Sequence, residues 1–209
     1  MLSLQTVLPD TLELLRRLMS VTAFDSLRLV GGTALALQYG HRRSVDLDMF
    51  GILEPDTDRV TSALAGMGVV DPGTCSTKIK TYRIDGIKVD FVDYSRYPWL
   101  DAPVIEGHLR LASPRDIAAM KINAILGRGS RKDFVDMYFL MQHYTLEEII
   151  GFYKLKYPEH SEYRAMLSLT YFDDAELLPM PLMFENVAWS DMKCYILEEV
   201  EKYNRSHVC

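Results

Sequence analysis

"GGTALALQYGHRRSVDLDMF", Gly31 to Phe50, opens on two glycines and closes on two aspartates one residue apart. The stretch before it, "LRLV", reads as a short strand that ends at the glycines. "TALALQYG" reads as a short helix stopped by Gly40, a residue suited to a left-handed C-cap. "SVDLDMF" alternates, so Val45, Leu47 and Met49 face one way and Asp46, Asp48 and Phe50 the other. Two carboxylates at i and i+2 on a strand share a face and repel each other unless a cation sits between them. Hard oxygen ligands of this kind suit Mg²⁺. Glycines at a strand-to-helix turn let backbone N–H groups approach a phosphate, and a helix N-terminus favours negative charge there. Thr33 can add a hydroxyl donor. An isolated Asp-x-Asp also fits the surface of an edge strand; the glycines upstream are what turn the unit toward a nucleoside triphosphate site.

A third carboxylate comes from further along the chain. "STKIKTYRI" and "IKVDFVDY" both alternate and are joined by Asp85-Gly86, a strong hairpin signal. In the second segment Ile87, Val89 and Phe91 form the apolar face and Asp90 points opposite. If this strand lies beside that of Asp46, apolar faces together, Asp90 joins Asp46 and Asp48. Three converging carboxylates can hold two metal ions for in-line phosphoryl or nucleotidyl transfer. Asp93 falls on the apolar face, so Asp90 is the candidate.

Around this core the pattern predicts an amphipathic helix over residues 11–20 and another over 56–68. After Tyr94 the character changes. "SRYPWLDAPV" is a connection, and Ser113-Pro114-Arg115-Asp116 is a good helix start. Helices are then expected over 114–126, 131–144, 145–157, 161–169 and 190–204. The fold class is α+β: an α/β core at residues 1–105 with a small mixed sheet flanked by helices, then a helical domain at 106–209 that completes an NTP cleft. Lys121 stands on a helix whose Ile117, Ala118, Ala119, Met120, Ile122 and Ile125 make it apolar on nearly every side. A cation in that setting needs a partner. Either it forms a salt bridge to Asp133 or Asp136, which share a polar face at i and i+3, or it reaches a bound triphosphate.

The chain has 209 residues, 48% of them hydrophobic, enough for a sizeable core. Its net charge of −6 excludes a general polyanion binder. Locally, however, Arg110, Arg115, Lys121, Arg128, Arg131 and Lys132 run with Asp116 as the only acid among them, and such a run can serve a phosphate-bearing substrate. The three cysteines, Cys75, Cys194 and Cys209, are odd in number and lack metal-site spacing, which points to a reducing cytoplasm rather than a disulfide framework. The N-terminal segment lacks the pattern of a signal peptide, and no apolar run approaches the ~20 residues that span a bilayer.

Val30-Gly31-Gly32, thirteen residues, then Asp46-Leu47-Asp48 resembles the first signature of the DNA polymerase β-like nucleotidyltransferase superfamily. The fuller string resembles one branch more closely, the AbiEii/AbiGii toxin family of abortive-infection and toxin–antitoxin systems. The matching positions are Gly31 to Leu35 and then His41, Arg42, Ser44, Asp46, Asp48 and Phe50. Asp90 stands where the superfamily has its third carboxylate. Lys121 in "DIAAMKINAIL", and Asp133 and Asp136 in "RKDFVDMYFL", follow in the family's order.

The resemblance implies transfer of a nucleoside monophosphate from an NTP to an acceptor, with two Mg²⁺ ions on Asp46, Asp48 and Asp90. Gly31, Gly32 and Thr33 would hold the β/γ-phosphates, and Arg42 and Ser44 would contact phosphate. Lys121 would offset triphosphate charge, and Asp136 would assist catalysis. On that assignment, Lys121→Met should weaken NTP binding while sparing stability. The implied acceptor is RNA, tRNA in particular, with the basic run drawing it in, and a cognate antitoxin is an implied partner. A small-molecule nucleotidyltransferase of the antibiotic-modifying kind and a nucleotide-binding interaction protein without turnover are the competing functions.

Overall fold

The computed structural model describes residues 1–207, so Cys209 lies outside the described residues. In chain order the elements are α1 (Pro9–Met19), β1 (Arg28–Leu29), α2 (Gly31–Tyr39), β2 (Leu47–Gly51), α3 (Thr57–Ala63), β3 (Val70–Cys75), β4 (Ile79–Ile84) and β5 (Ile87–Asp93). They continue with β6 (Val104–Glu106), β7 (Leu109–Leu111), α4 (Pro114–Arg128), α5 (Arg131–Met141), α6 (Leu146–Lys156), α7 (Glu162–Leu169), α8 (Asp173–Glu176) and α9 (Trp189–His207). The chain forms two compact units, Met1–Pro98 with Ala102–Ser113, and Trp99–Asp101 with Pro114 onward. It therefore passes between units more than once, where a single boundary after residue 105 was expected. No helix among the described residues is long and apolar enough to cross a membrane.

The first unit holds a seven-stranded mixed sheet in the order β3-β4-β5-β2-β1-β7-β6. Asp85 (φ 50°) and Gly86 (φ 82°) both take the positive φ that a type I′ turn requires, which fixes the β4–β5 register at Ile84 opposite Ile87. β5 lies parallel to β2, with Asp48 opposite Asp90. β1 runs antiparallel to β2 and parallel to β7. The pleat sends Leu47, Met49, Tyr82, Val89 and Phe91, all fully buried, to one face of the sheet. Phe24 packs on Phe91 there, ring centroids 4.8 Å apart. Asp48, Thr81 and Asp90 are left on the opposite face. α1 buries Leu12, Leu15, Leu18 and Met19. Gly40 ends α2 in the left-handed conformation (φ 76°), its N–H on the Ala36 carbonyl. Asp56 caps α3 by accepting the Asp58 N–H at 2.9 Å, and that helix stops at Ala63 rather than reaching residue 68.

The second unit is helical. α4 is its hub, packed against α5, α6 and α7. Asp116 and Lys156, both fully buried, pair at 2.7 Å. The Asp116 carboxylate also accepts the N–H groups of Leu100 and Asp101, at 2.9 and 3.3 Å, and the Lys156 ammonium lies 4.6 Å from the Trp99 ring centroid. These contacts hold residues 99–101 within this unit. Thr145 and Glu148 form a reciprocal capping box at the start of α6.

Candidate active site

The carboxylate face is set by three local choices. Gly31 opens α2 at φ 66°, and a Cβ there would lie 2.5 Å from Asp48 Oδ2. Only glycine lets the helix start lie this close to the Asp48 carboxylate. The Val30 N–H donates to the Asp48 carbonyl at 2.8 Å, which joins the strand before the helix to β2. The parallel β2–β5 register then sets Asp90 beside Asp48 on the same face. Asp46, Asp48 and Asp90 are all half-buried.

Two side chains that the sequence reading passed over complete this face. Thr81 Oγ1 donates to Asp90 Oδ1 at 2.7 Å, and the Lys88 ammonium pairs with Asp90 Oδ2. Burial alone would lower the Lys88 pKa. The hydrogen bond and charge of Asp90, followed by the charges of Asp48 and Asp46, outweigh it and hold the lysine above its ordinary value. Both residues could have been found by counting. With the turn at Asp85-Gly86, Thr81 falls opposite Asp90, and Lys88 lies two residues before it on the same face.

The all-oxygen donor set suits a hard divalent cation. Among the described residues, however, no group of three or more His, Cys, Asp and Glu side chains is arranged to hold a metal ion as it stands. Asp90 pairs with the Lys88 ammonium instead.

The remaining phosphate candidates differ in how far they are buried. Gly32 is half-buried in the first turn of α2. Thr33 is 1% exposed, and its hydroxyl reaches the Asp46 carbonyl and the Ser44 hydroxyl. A hydroxyl has one proton to give, so in this arrangement Thr33 ties α2 to the segment before β2 instead of facing solvent. Ser44 is buried with it, and Arg42, also buried, donates to the Arg43 carbonyl at 3.0 Å. Neither is open to solvent.

In the second unit Lys121 is engaged by both of its candidate partners, with Asp133 at 2.9 Å and Asp136 at 2.5 Å. Both aspartates are fully buried. Arg128 adds a bidentate pair to Asp133, at 2.8 and 3.0 Å, and Ser130 Oγ donates to the same carboxylate. Burial pushes the Asp133 carboxyl up, but the Lys121 charge and the Arg128 and Ser130 hydrogen bonds outweigh it and hold the group well below the usual carboxylate range.

The basic run is likewise engaged internally. Arg110 donates to the carbonyls of Met19, Phe24 and Leu27. Arg115 pairs with Asp101 at 2.9 Å and lies over the Phe152 ring. Arg131 bonds the carbonyls of Ala175 and Glu176. Lys121 and Arg128 hold protein partners as well.

Comparison with known proteins bears on this arrangement. Over 199 residues the chain is 33% identical to a protein of Aquifex aeolicus (strain VF5) described only as uncharacterized, covering 91% of this chain and 94% of that protein. Among solved structures, the nucleotidyltransferase toxin MenT4 of Mycobacterium tuberculosis aligns with TM-score 0.57 at 16% identity, over 92% of this chain and 82% of that one. A Helicobacter pylori protein assigned provisionally as a nucleotidyltransferase aligns with TM-score 0.53 at 17% identity, over 94% and 92%. At these identities the two structures establish the shared fold. The model of the nucleotidyl transferase AbiEii toxin family, a type IV toxin–antitoxin system, matches residues 13–202. The chain therefore belongs to the AbiEii family of nucleotidyltransferase toxins.

Proposed function

We propose that this chain transfers a nucleoside monophosphate from an NTP to an RNA acceptor, tRNA in particular, with two Mg²⁺ ions held by Asp46, Asp48 and Asp90. The observation that carries the reading is the set of Asp48 and Asp90 in register beneath the glycine start of α2. When bound, divalent cations neutralise phosphate charge and acidify the acceptor hydroxyl. Asp46 and Asp48 would hold both ions, and Asp90 the one that activates the acceptor hydroxyl. Thr81 holds one Asp90 oxygen and Lys88 the other, so a cation binding Asp90 would take its place beside or instead of the lysine. The backbone N–H groups of Gly31 and Gly32 receive the β/γ-phosphates. In the helical unit Asp136 directs the Lys121 ammonium. Support for RNA comes from the family alone, because the basic run is occupied. That occupation favours a small-molecule acceptor as the second reading. Membership of a toxin–antitoxin family supports a cognate antitoxin as partner.

The test incubates the protein with each radiolabelled NTP and Mg²⁺, with total RNA or with an aminoglycoside panel. A labelled tRNA-sized band that Asp48→Asn abolishes supports the proposal. Labelled small molecule with no labelled RNA promotes the second reading. Pyrophosphate release under none of these conditions overturns both.

A further inference from the structure

A cavity of about 550 Å³ opens in the first unit where residues 4–8 lead into α1. That volume lies in the range of sites for small organic ligands. Leu4, Leu8 and Leu12 give it an apolar wall, of which Leu4 is 41% and Leu8 43% exposed. Its charged lining is two cations, Arg16 and Arg43, and two carboxylates, Asp10 and Glu13. Glu13 lies 3.9 Å from Arg16, three residues along α1. Arg43 has no such neighbour. It is half-buried, and its Nε is buried with no hydrogen-bond acceptor among the described residues. Its guanidinium forms no ion pair among those residues either.

A buried N–H of a charged group is costly to leave without an acceptor. The backbone nevertheless fixes Arg43 in this place. The N–H of the next residue, Ser44, donates to the Thr6 carbonyl at 2.9 Å, and the Ser44 hydroxyl accepts from Thr33 at 2.8 Å. α1 starts at the same cavity, and its N-cap, Leu8, offers no side-chain acceptor to the first turn. A helix start favours negative charge. Two independent features of one cavity therefore call for an anion. The lining's own charges cancel, two against two, so there is no surplus for a polyphosphate. A single negative charge suits the site, and the guanidinium fork matches a carboxylate. We propose that this cavity binds a small carboxylic acid with an apolar body, its carboxylate on the Arg43 guanidinium and its hydrocarbon part against Leu4, Leu8 and Leu12. The site stands independently of the transfer reaction proposed above.

The test titrates N-acetyl-L-leucine, hexanoate and phenylacetate, each against its own amide, and inorganic phosphate, into the full chain at pH 7. Binding is followed by backbone amide NMR shifts on the wild type, Arg43→Gln and Leu4→Asp, with thermal melting as the control for folding. At least one acid should bind and move the signals of residues 4–13 and 43–44. Its amide has nearly the same shape without the charge and should bind at least about tenfold more weakly, the scale of one charged hydrogen bond. Arg43→Gln should weaken the acid by a similar factor and leave the amide unchanged. Leu4→Asp, at the exposed rim, should weaken the acid as well. The comparison of acid with amide on the wild type decides the matter even where Arg43→Gln does not fold. Acid and amide binding equally, or phosphate binding more tightly than every acid, overturns the carboxylate assignment. A folded Arg43→Gln that binds the acid as the wild type does overturns the part given to Arg43. No shift with any of the three acids at millimolar concentration overturns the site.

Discussion

Asp48 is the residue on which the helix start and the strand pairing meet, and its substitution separates charge from shape. Asp48→Asn keeps the side chain's outline but removes the charge proposed to bind metal, so nucleotidyl transfer should fall by at least about a hundredfold, the loss expected when a preorganised electrostatic group is removed. Repulsion among three aspartates would by itself make this variant more stable. The Lys88 ammonium paired with Asp90 offsets part of any such repulsion, so the change in metal-free stability should stay within about 1 kcal/mol, measured by urea unfolding in EDTA. Turnover near wild type would remove Asp48 from the reaction. The glycine–aspartate geometry was legible because backbone freedom and alternation are properties of short stretches. The burial of Thr33, Arg42 and Ser44 was not. Whether a polar side chain at a turn faces water or a neighbouring carbonyl depends on residues that pack over it, and those are remote in sequence.

At the level of elements, α4 and α5 are joined through one buried charge cluster. Lys121→Met would leave Asp133 and Asp136 with a missing partner, both fully buried, so the loss should be about 3–5 kcal/mol. That reverses the expectation from sequence that this change spares stability; a melting curve within a degree or two of wild type would contradict the cluster. The same cluster gives a pH dependence. The Asp133 carboxyl is held below its unfolded value, so its contribution is fully present above about pH 4 and is lost as pH falls toward the lowered folded value. Urea unfolding from pH 7 to pH 3 should therefore show a decline below pH 4 that is shallower in Asp133→Asn. Strand legibility also depended on context. β4 and β5 announced themselves through Asp-Gly. β3 contains Pro72 and Gly73, which read as a turn; it is tolerated because β3 is an edge strand with irregular pairing between Pro72 and Cys75. β6 and β7 have three residues each, too few for a period to register.

For the whole molecule, the assignment of residues 99–101 to the helical unit depends on Asp116 and Lys156. Lys156→Met strips the charge from one side of a fully buried pair, so limited proteolysis should open the chain near Trp99–Asp101 and stability should drop by about 3–5 kcal/mol. Adding Asp116→Leu removes the orphaned carboxylate as well, and the double variant should recover part of that loss. A double variant no more stable than the single one would argue against the buried charge as the cause. This arrangement escaped the sequence because its partners lie 40 residues apart and Asp116 had already been accounted for as a helix-start acid. The sheet order has a further consequence, for the chain as it is made. β1 at Leu29 cannot meet its parallel neighbour until Leu111 has been synthesised, 82 residues later, or roughly 4–16 s at ~5–20 residues per second. Through that interval one side of β1 is an open ladder that can recruit any strand within reach. The Asp48–Asp90 pairing needs only residues up to β5, so on the ribosome this toxin can assemble its carboxylates while its sheet still waits for β7.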